Sequence, residues 1–382
     1  MGLRVSCNES VLVHIDLTCV QFFYYFFFKL EMEDVICIAE LVAVCVEAAE
    51  RACGKIREIS ASGNLKPIEK GDGTDALTGG PLADTQTEAD RQSERIIFSI
   101  LRKQFPNLVL IGEEESSNYP SDANEGELVL SPRASDSKSK VLNNLKTSSN
   151  EILVPCSELT LFVDPLDGTN GFVNGRLHTV SVLIGIARNG IRLAGVIARP
   201  FPDDAICSGE LMYGLVGSSV YLDHRPISSP NLPVDARALK LVTSRKRPGQ
   251  VADRVYQLLE PCEVEKQGGA GFKIWLVVIG ESDSYVYPRP GTKKWDVLAG
   301  DAIMAALGGV ITDACGRQLV YTSDPDNFNN DWGVVASMNR QMHYTQLIPA
   351  CHKALSEAAS DPNLSQWPSG LQIPPITIES SL

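Results

Sequence analysis

Between Asp34 and Ile59, apolar residues recur at spacings of three and four. Ile38, Leu41, Val42, Cys45 and Ala49 would share one face, and this spacing predicts a long helix. A second such stripe (Ile96, Ile97, Ile100, Leu101) predicts a helix over Thr87–Gln104, with Asp90 in its first turn. Shorter apolar runs of strand length follow at Leu108–Ile111 and Leu159–Val163. Thr179–Ala187 and Arg192–Ala198 read as two strands joined at Asn189-Gly190, a hairpin dipeptide, and further short strands are expected near 206–222. Beyond residue 236 the pattern alternates. Strands are expected near 239–243, 263–266 and 284–288, and helices near 250–259, 271–279 and 296–307. Ile311, Leu319–Tyr321 and Val334–Ala336 read as more strands, before a helix from Asn339 to about Leu355.

With 382 residues the chain can bury a large core as two domains or one two-lobed unit. The expected organisation is a leader at 1–31, a first domain over 32–225 and a second over 236–355. A tail follows at 356–382, expected to be disordered. Pro226–Asp235, with three prolines, is the natural linker. The polar stretch 116–157 reads as a mobile surface insertion. The leader is strongly apolar from Val11 to Phe28, but Asp16, His14 and Gln21 interrupt it, so it is marginal as a membrane span. Met1-Gly2-Leu-Arg-Val-Ser6 fits the loose myristoylation pattern. The preferred reading leaves this leader outside the fold and gives the protein no membrane partner.

Hydrophobic content of 44% and charged content of 21% are those of a globular protein. A net charge of −13 excludes a nucleic-acid backbone binder but not a polyanionic substrate, because bound metal can invert the local sign. The ten cysteines form no C-x-x-C and no regular framework, which points to a reducing, cytoplasmic compartment. The five histidines are scattered, so a zinc site is not expected.

The chemistry concentrates at Asp164-Pro165-Leu166-Asp167-Gly168-Thr169, after the Leu159–Val163 strand. Proline cannot donate to a central ladder, so the chain should leave the sheet at Asp164-Pro165. Two carboxylates on the tight turn that follows can face one small space. Crowded oxygen ligands suit Mg²⁺, although an ordinary Asx-type turn would use the same residue types. Gly112-Glu113-Glu114-Glu115 closes a second strand, and Trp295-Asp296 begins a helical pattern, so further acids stand in similar settings.

These segments resemble the signature of the lithium-sensitive, magnesium-dependent phosphomonoesterases of the inositol monophosphatase superfamily. Within it, the chain resembles the 3′(2′),5′-bisphosphate nucleotidases most, through Thr85-Gln-Thr-Glu-Ala-Asp90, Thr179–Ala187, Gly268-Gly-Ala-Gly-Phe-Lys273 and Pro290–Asp296. The resemblance spans about residues 34–350 and implies an α/β fold. That fold is a layered α+β sandwich, αβαβα, sugar-phosphatase-like with two subdomains. It further implies two or three Mg²⁺ held by Glu113, Asp164, the Leu166 carbonyl, Asp167 and Asp296, with Glu114 behind them. Asp90 and Thr169 would relay a proton, and the Gly168 and Thr169 amides would help hold the phosphate.

Ser244, Arg247, Gly269 and Lys273 would then touch the nucleotide; read structurally, the glycines make a turn and the lysine faces solvent. Arg247 stands where the family has a histidine, and the 70–84 loop looks longer than usual. The implied reaction is hydrolysis of 3′(2′)-phosphoadenosine 5′-phosphate, with its sulfated analogue and inositol 1,4-bisphosphate as side substrates and inhibition by Li⁺ and Na⁺. The alternatives are an inositol phosphate phosphatase and a catalytically silent binding protein of the same fold. A monomer or homodimer is expected.

Overall fold

The computed structural model describes residues 35–70, 84–114, 132–146, 152–203, 209–230, 237–245, 249–360 and 372–377. The leader at 1–31, most of the 70–84 loop and Arg247 lie outside the described residues. The first elements are β1 (Val35–Cys37), α1 (Ile38–Ser62), β2 (Ile68–Lys70), β3 (Asp84–Gln86) and α2 (Glu88–Gln104). Next come β4 (Val109–Gly112), α3 (Pro132–Lys146), β5 (Leu153–Pro155), β6 (Leu159–Asp167) and α4 (Thr169–Val173). An antiparallel run follows through β7 (Ser181–Arg188), β8 (Ile191–Ala198), β9 (Leu211–Leu215), β10 (Val220–Leu222) and β11 (Arg225–Ile227). The remaining elements alternate: β12 (Leu239–Ser244), α5 (Gly249–Leu258), β13 (Cys262–Gln267), α6 (Ala270–Val278) and β14 (Ser284–Tyr287). The chain closes with α7 (Leu298–Ala306), β15 (Val310–Thr312), β16 (Val334–Ser337), α8 (Arg340–Met342), a π-turn at His343–Leu347, and α9 (Ile348–Ser360).

Two large sheets result. One has seven strands in the order β11-β10-β9-β8-β7-β6-β4, and the other has five in the order β13-β12-β14-β16-β15. In the second sheet β12, β13 and β14 run parallel. The period of two along each strand builds the layers. Leu161, Val163, Ile184 and Val196 point into a core shared with α1, α2 and α3, while Phe162, Leu183 and Ile197 point the other way. That opposite core also holds Phe272 and Trp275 of α6, Leu298 and Ile303 of α7, and Val242 and Tyr285 of the five-stranded sheet. Leu241, Val286 and Val335 face outward against Val255 of α5 and Cys351 and Leu355 of α9. The layers are therefore α, β, α, β, α, with α6 and α7 between the two sheets. The expected first and second domains share this middle layer.

Four local expectations change. The interval 116–157 contains α3, whose Val141 and Leu145 are buried against α1 and whose Ser137 donates to Glu50 (2.9 Å). Its apolar positions are few but four apart, so a mostly polar composition conceals one buried stripe. The tail is partly ordered: α9 reaches Ser360, and the Thr377 amide donates to the Cys315 carbonyl (3.0 Å). Leu319–Tyr321 joins no ladder; the Tyr321 amide donates to Gly190 and its ring packs edge-on against Phe162. Finally, the chain does not leave the sheet at Asp164-Pro165. Strand β6 continues to Asp167, which pairs with Ser181 across a register shift.

Helix α7 lies directly on the seven-stranded sheet because β8 carries glycine where the two meet. A Cβ at Gly195 would stand 2.0 Å from the Ala299 carbonyl oxygen. Gly195→Ala should lower stability by roughly 2 kcal/mol through overpacking, read as an earlier urea midpoint. An unchanged midpoint would show that α7 can lift off the sheet without cost.

Candidate active site

Residues three apart on a regular strand face opposite sides of the sheet. Asp164 and Asp167 share one side because Pro165 and Leu166 form the irregularity between their pairings, where proline's missing N–H costs nothing. Asp296 reaches them from the loop just before α7. One oxygen from each of Asp164, Asp167 and Asp296 lies within 4.8 Å of the others. Glu113 follows β4, its amide donating to the Val163 carbonyl (3.1 Å), and its carboxyl is within hydrogen-bonding range of Asp164. Glu114 points elsewhere: it accepts from Gln86, and its amide donates to Glu94 (2.9 Å).

Neighbouring residues, most of them within the recognised motifs, hold these acids in place. Asp167 accepts from the Ala270 and Gly271 amides (both 2.8 Å) and from Ser181 Oγ (2.9 Å). It therefore caps the start of α6, which ties the two sheets together at this point. Such proximity requires glycine at position 269, with φ +64, where a Cβ would meet the Thr179 carbonyl at 2.4 Å and Asp167 Oδ2 at 2.9 Å. Asp296 accepts from the Lys293 amide (2.5 Å). The buried Asn330 amide braces that segment, donating to the Lys293 carbonyl (2.8 Å) and Thr292 Oγ1 (3.1 Å) and accepting from Lys294 Nζ (3.0 Å). Ser181 lies within the Thr179–Ala187 segment with nothing to single it out, and Asn330 carries no sequence signal apart from its place in the fold.

The electrostatics are unfavourable without a cation. Burial first, then the neighbouring Glu113, Asp167 and Asp296, hold the Asp164 carboxyl far above the usual carboxylate range. Asp296 is pushed up to about 7, by burial and then by Asp167. Burial also raises Asp167, against the opposing pull of Lys273 and the α6 amides. An all-oxygen set of crowded carboxylates fits a hard divalent cation, whose charge would offset both the burial and the mutual repulsion.

Beside this cluster, Thr169 Oγ1 lies 2.9 Å from Asp90 Oδ1 and 3.0 Å from the Leu166 carbonyl oxygen. Asp90 is fully buried and also accepts from the Thr87 amide (2.8 Å) and the Thr87 hydroxyl, closing a capping box at the start of α2. Gly168, with φ +87, turns the chain from β6 into α4. Lys273 is not solvent-facing. It is 3% exposed, donates to the Gly269 carbonyl, lies 5.1 Å from the centre of the Tyr285 ring, and feels the charges of Asp167 and Asp296. Ser244 ends β12 opposite Gln267, two residues before Gly269.

The family model described as the inositol monophosphatase family matches residues 38–356. The chain belongs to the inositol monophosphatase family. It is 31% identical over 318 residues to 3′(2′),5′-bisphosphate nucleotidase 1 of Homo sapiens, covering 82% of this chain and 95% of that one. It is 27% identical over 350 residues to inositol monophosphatase 3 of Danio rerio, covering 88% and 92%. Among solved structures, the extragenic suppressor protein suhB from Bartonella henselae superposes with a TM-score of 0.56 at 21% identity, covering 83% of this chain and 98% of that one. This likeness shows the layered α/β fold. The family is one of metal-dependent phosphatases, and this member presents a matching acidic cluster; a small phosphorylated substrate accords with its relatives. Among the described residues, no helix is long and apolar enough to cross a membrane.

The raised carboxyls make stability depend on pH and metal together. In the metal-free protein the folded state holds more protons at this cluster than the unfolded chain does. Stability is therefore fully present below the unfolded carboxyl range and is lost as pH rises through the folded values, which for Asp296 means about 7. Mg²⁺ competes with those protons, so the difference in melting temperature with and without Mg²⁺ should widen between about pH 5 and pH 7.5. A difference independent of pH would show that the carboxylates do not bind the ion.

Proposed function

We propose that this phosphatase removes the 3′(2′)-phosphate of phosphoadenosine 5′-phosphate, producing AMP and inorganic phosphate with Mg²⁺. Glu113, Asp164, Asp167, Asp296 and the Leu166 carbonyl would hold two or three ions. The bound ions would supply charge neutralisation for the phosphate and the departing oxygen. The observation that carries the reading is the 2.9 Å contact between Thr169 and Asp90 beside the acidic cluster, in a chain that is similar to a named bisphosphate nucleotidase. The proton relay runs through that contact. Thr169 passes its hydroxyl proton to Asp90 Oδ1 as it takes one from the attacking water, and the capping box fixes where Asp90 receives it. Water attacks phosphorus in line, the P–O bond to the ribose breaks, the departing ribose oxygen takes a proton from solvent to leave as a hydroxyl, and no covalent enzyme intermediate forms. The Gly168 and Thr169 amides would help hold the phosphate.

On the substrate side, Ser244, Gly269 and Lys273 contribute from the carboxyl ends of β12 and β13 and the first turn of α6. Arg247 belongs to the same set by its place in the sequence. The sulfated analogue and inositol 1,4-bisphosphate fit as slower substrates, Li⁺ and Na⁺ as inhibitors, and the cytoplasm as the site of action. The rival reading, an inositol phosphate phosphatase, has support in the 27% identity to inositol monophosphatase 3.

Asp90→Asn should reduce kcat by about a hundredfold to a thousandfold, while the Mg²⁺ dissociation constant measured by calorimetry stays within about twofold. A large loss of Mg²⁺ affinity would instead place Asp90 among the metal ligands. In a panel of purified substrates, the adenosine bisphosphate should give the highest kcat/KM. Faster turnover of inositol 1-phosphate would favour the rival, and no phosphate release from any substrate with Mg²⁺ would favour a silent binding protein.

A further inference from the structure

A second group of polar side chains lies one step from the acidic cluster, and the relay and the carboxylates do not use it. Gln267 ends β13, is 7% exposed, and precedes the Gly268-Gly269 turn that touches Asp167. Its side-chain oxygen accepts from Arg245 Nη2 (3.4 Å), while the Arg245 amide donates to its backbone carbonyl (3.0 Å). His178, on the turn between α4 and β7, lies beside the same Gln267 side chain and feels the charges of Asp203, Arg199 and Arg245. The imidazole also packs edge-on to Phe272 at 5.7 Å, which holds it against the start of α6. Gln267 thus stands between a histidine from the first half of the chain and an arginine from the second.

Topology places this group where a ligand would rest. Strands β12, β13 and β14 are parallel, with β12 in the middle, so the connection from β12 leads to one side and the connection from β13 crosses back to the other. Helix α5 packs on the outer face of that sheet and α6 on the inner one. The crevice beyond the carboxyl ends at such a reversal is where open α/β sheets take ligands. Gln267 stands two residues before Gly269, where an added Cβ would meet Asp167 Oδ2 at 2.9 Å, so the group lies close beside the acidic cluster.

We propose that His178, Gln267 and Arg245 form a specificity subsite for the second, non-reacting phosphate of a bisphosphate substrate. Arg245 presents a planar fork to phosphate oxygens, and Gln267 sits between Arg245 and the imidazole, holding the Arg245 fork. His178 adds an N–H from the opposite wall. Asp203 and Glu265 also border the group: Asp203 acts on His178, and Glu265 accepts from Gln267 Nε2 (2.5 Å). Both acids would repel an anion placed off the Arg245 side.

The proposal rests on the phosphatase reading but not on the identity of the sugar, and the test separates the two. KM is measured for wild type, Arg245→Gln and His178→Asn with two pairs: an adenosine 3′,5′-bisphosphate against the 3′-monophosphate, and inositol 1,4-bisphosphate against inositol 1-phosphate. Each variant should raise the bisphosphate-to-monophosphate KM ratio about tenfold in whichever pair the wild type hydrolyses, with kcat held within about twofold. Arg245 is exposed, so its variant should keep the wild-type melting temperature. A ratio unchanged in both variants, or equal losses on both members of a pair, would overturn the subsite. Turnover of the inositol pair alone, with the ratio still raised, would overturn the nucleotide reading and leave the subsite standing.

Discussion

The structure depends on crowding negative charge in a buried place. Asp164, Asp167 and Asp296 bring oxygens within 4.8 Å of one another, with Glu113 against Asp164. Carboxylates so arranged resist ionisation, and burial adds to the effect. Folding would avoid this unless the surrounding layers imposed it, and a cation relieves it. The same tension that makes the metal-free site unfavourable would favour binding of a hard ion, because the ion's charge would offset the repulsion.

The imposition comes from the middle layer. Helices α6 and α7 sit between the sheets, and each brings one feature of the site: α6 places its first amides on Asp167, and α7 follows directly from the Asp296 loop. Gly195 in β8 lets α7 settle directly onto the seven-stranded sheet. Behind it, Asp301 accepts from the Tyr321 hydroxyl (2.7 Å) and pairs with Arg192 of β8 (3.4 Å). Packing between the halves and geometry of the site are thus one constraint. Moving α6 or α7 would separate the carboxylates before it broke any single motif.

Asp90 illustrates the economy of this arrangement. It closes the capping box of α2 and receives Thr169 at the edge of the acidic cluster, so one buried carboxylate both starts a helix and braces the turn beside that cluster. Asp167 likewise serves as a cluster member and as the cap of α6. Residues with two such tasks tolerate little change. An amide of the same shape would turn donors toward donors at Asp167.

Much of this was legible in the chain alone. The spacing of Ile38, Leu41, Val42, Cys45 and Ala49 marked α1, the alternating αβ pattern after residue 236 marked the second sheet, and Asp164, Asp167, Glu113 and Asp296 stood out as acids at the ends of elements. Local periodicity and turn chemistry carry that information, because they depend on residues a few positions apart. Tertiary structure decided the rest. Strand β6 runs on through Pro165 because a bulge excuses the missing N–H, and α3 forms in a polar stretch because α1 offers a surface for Val141 and Leu145. Lys273 is drawn inward by Asp167 and Asp296, which lie on other elements. Such outcomes turn on what a residue meets across the fold, and its sequence neighbours hold no record of that.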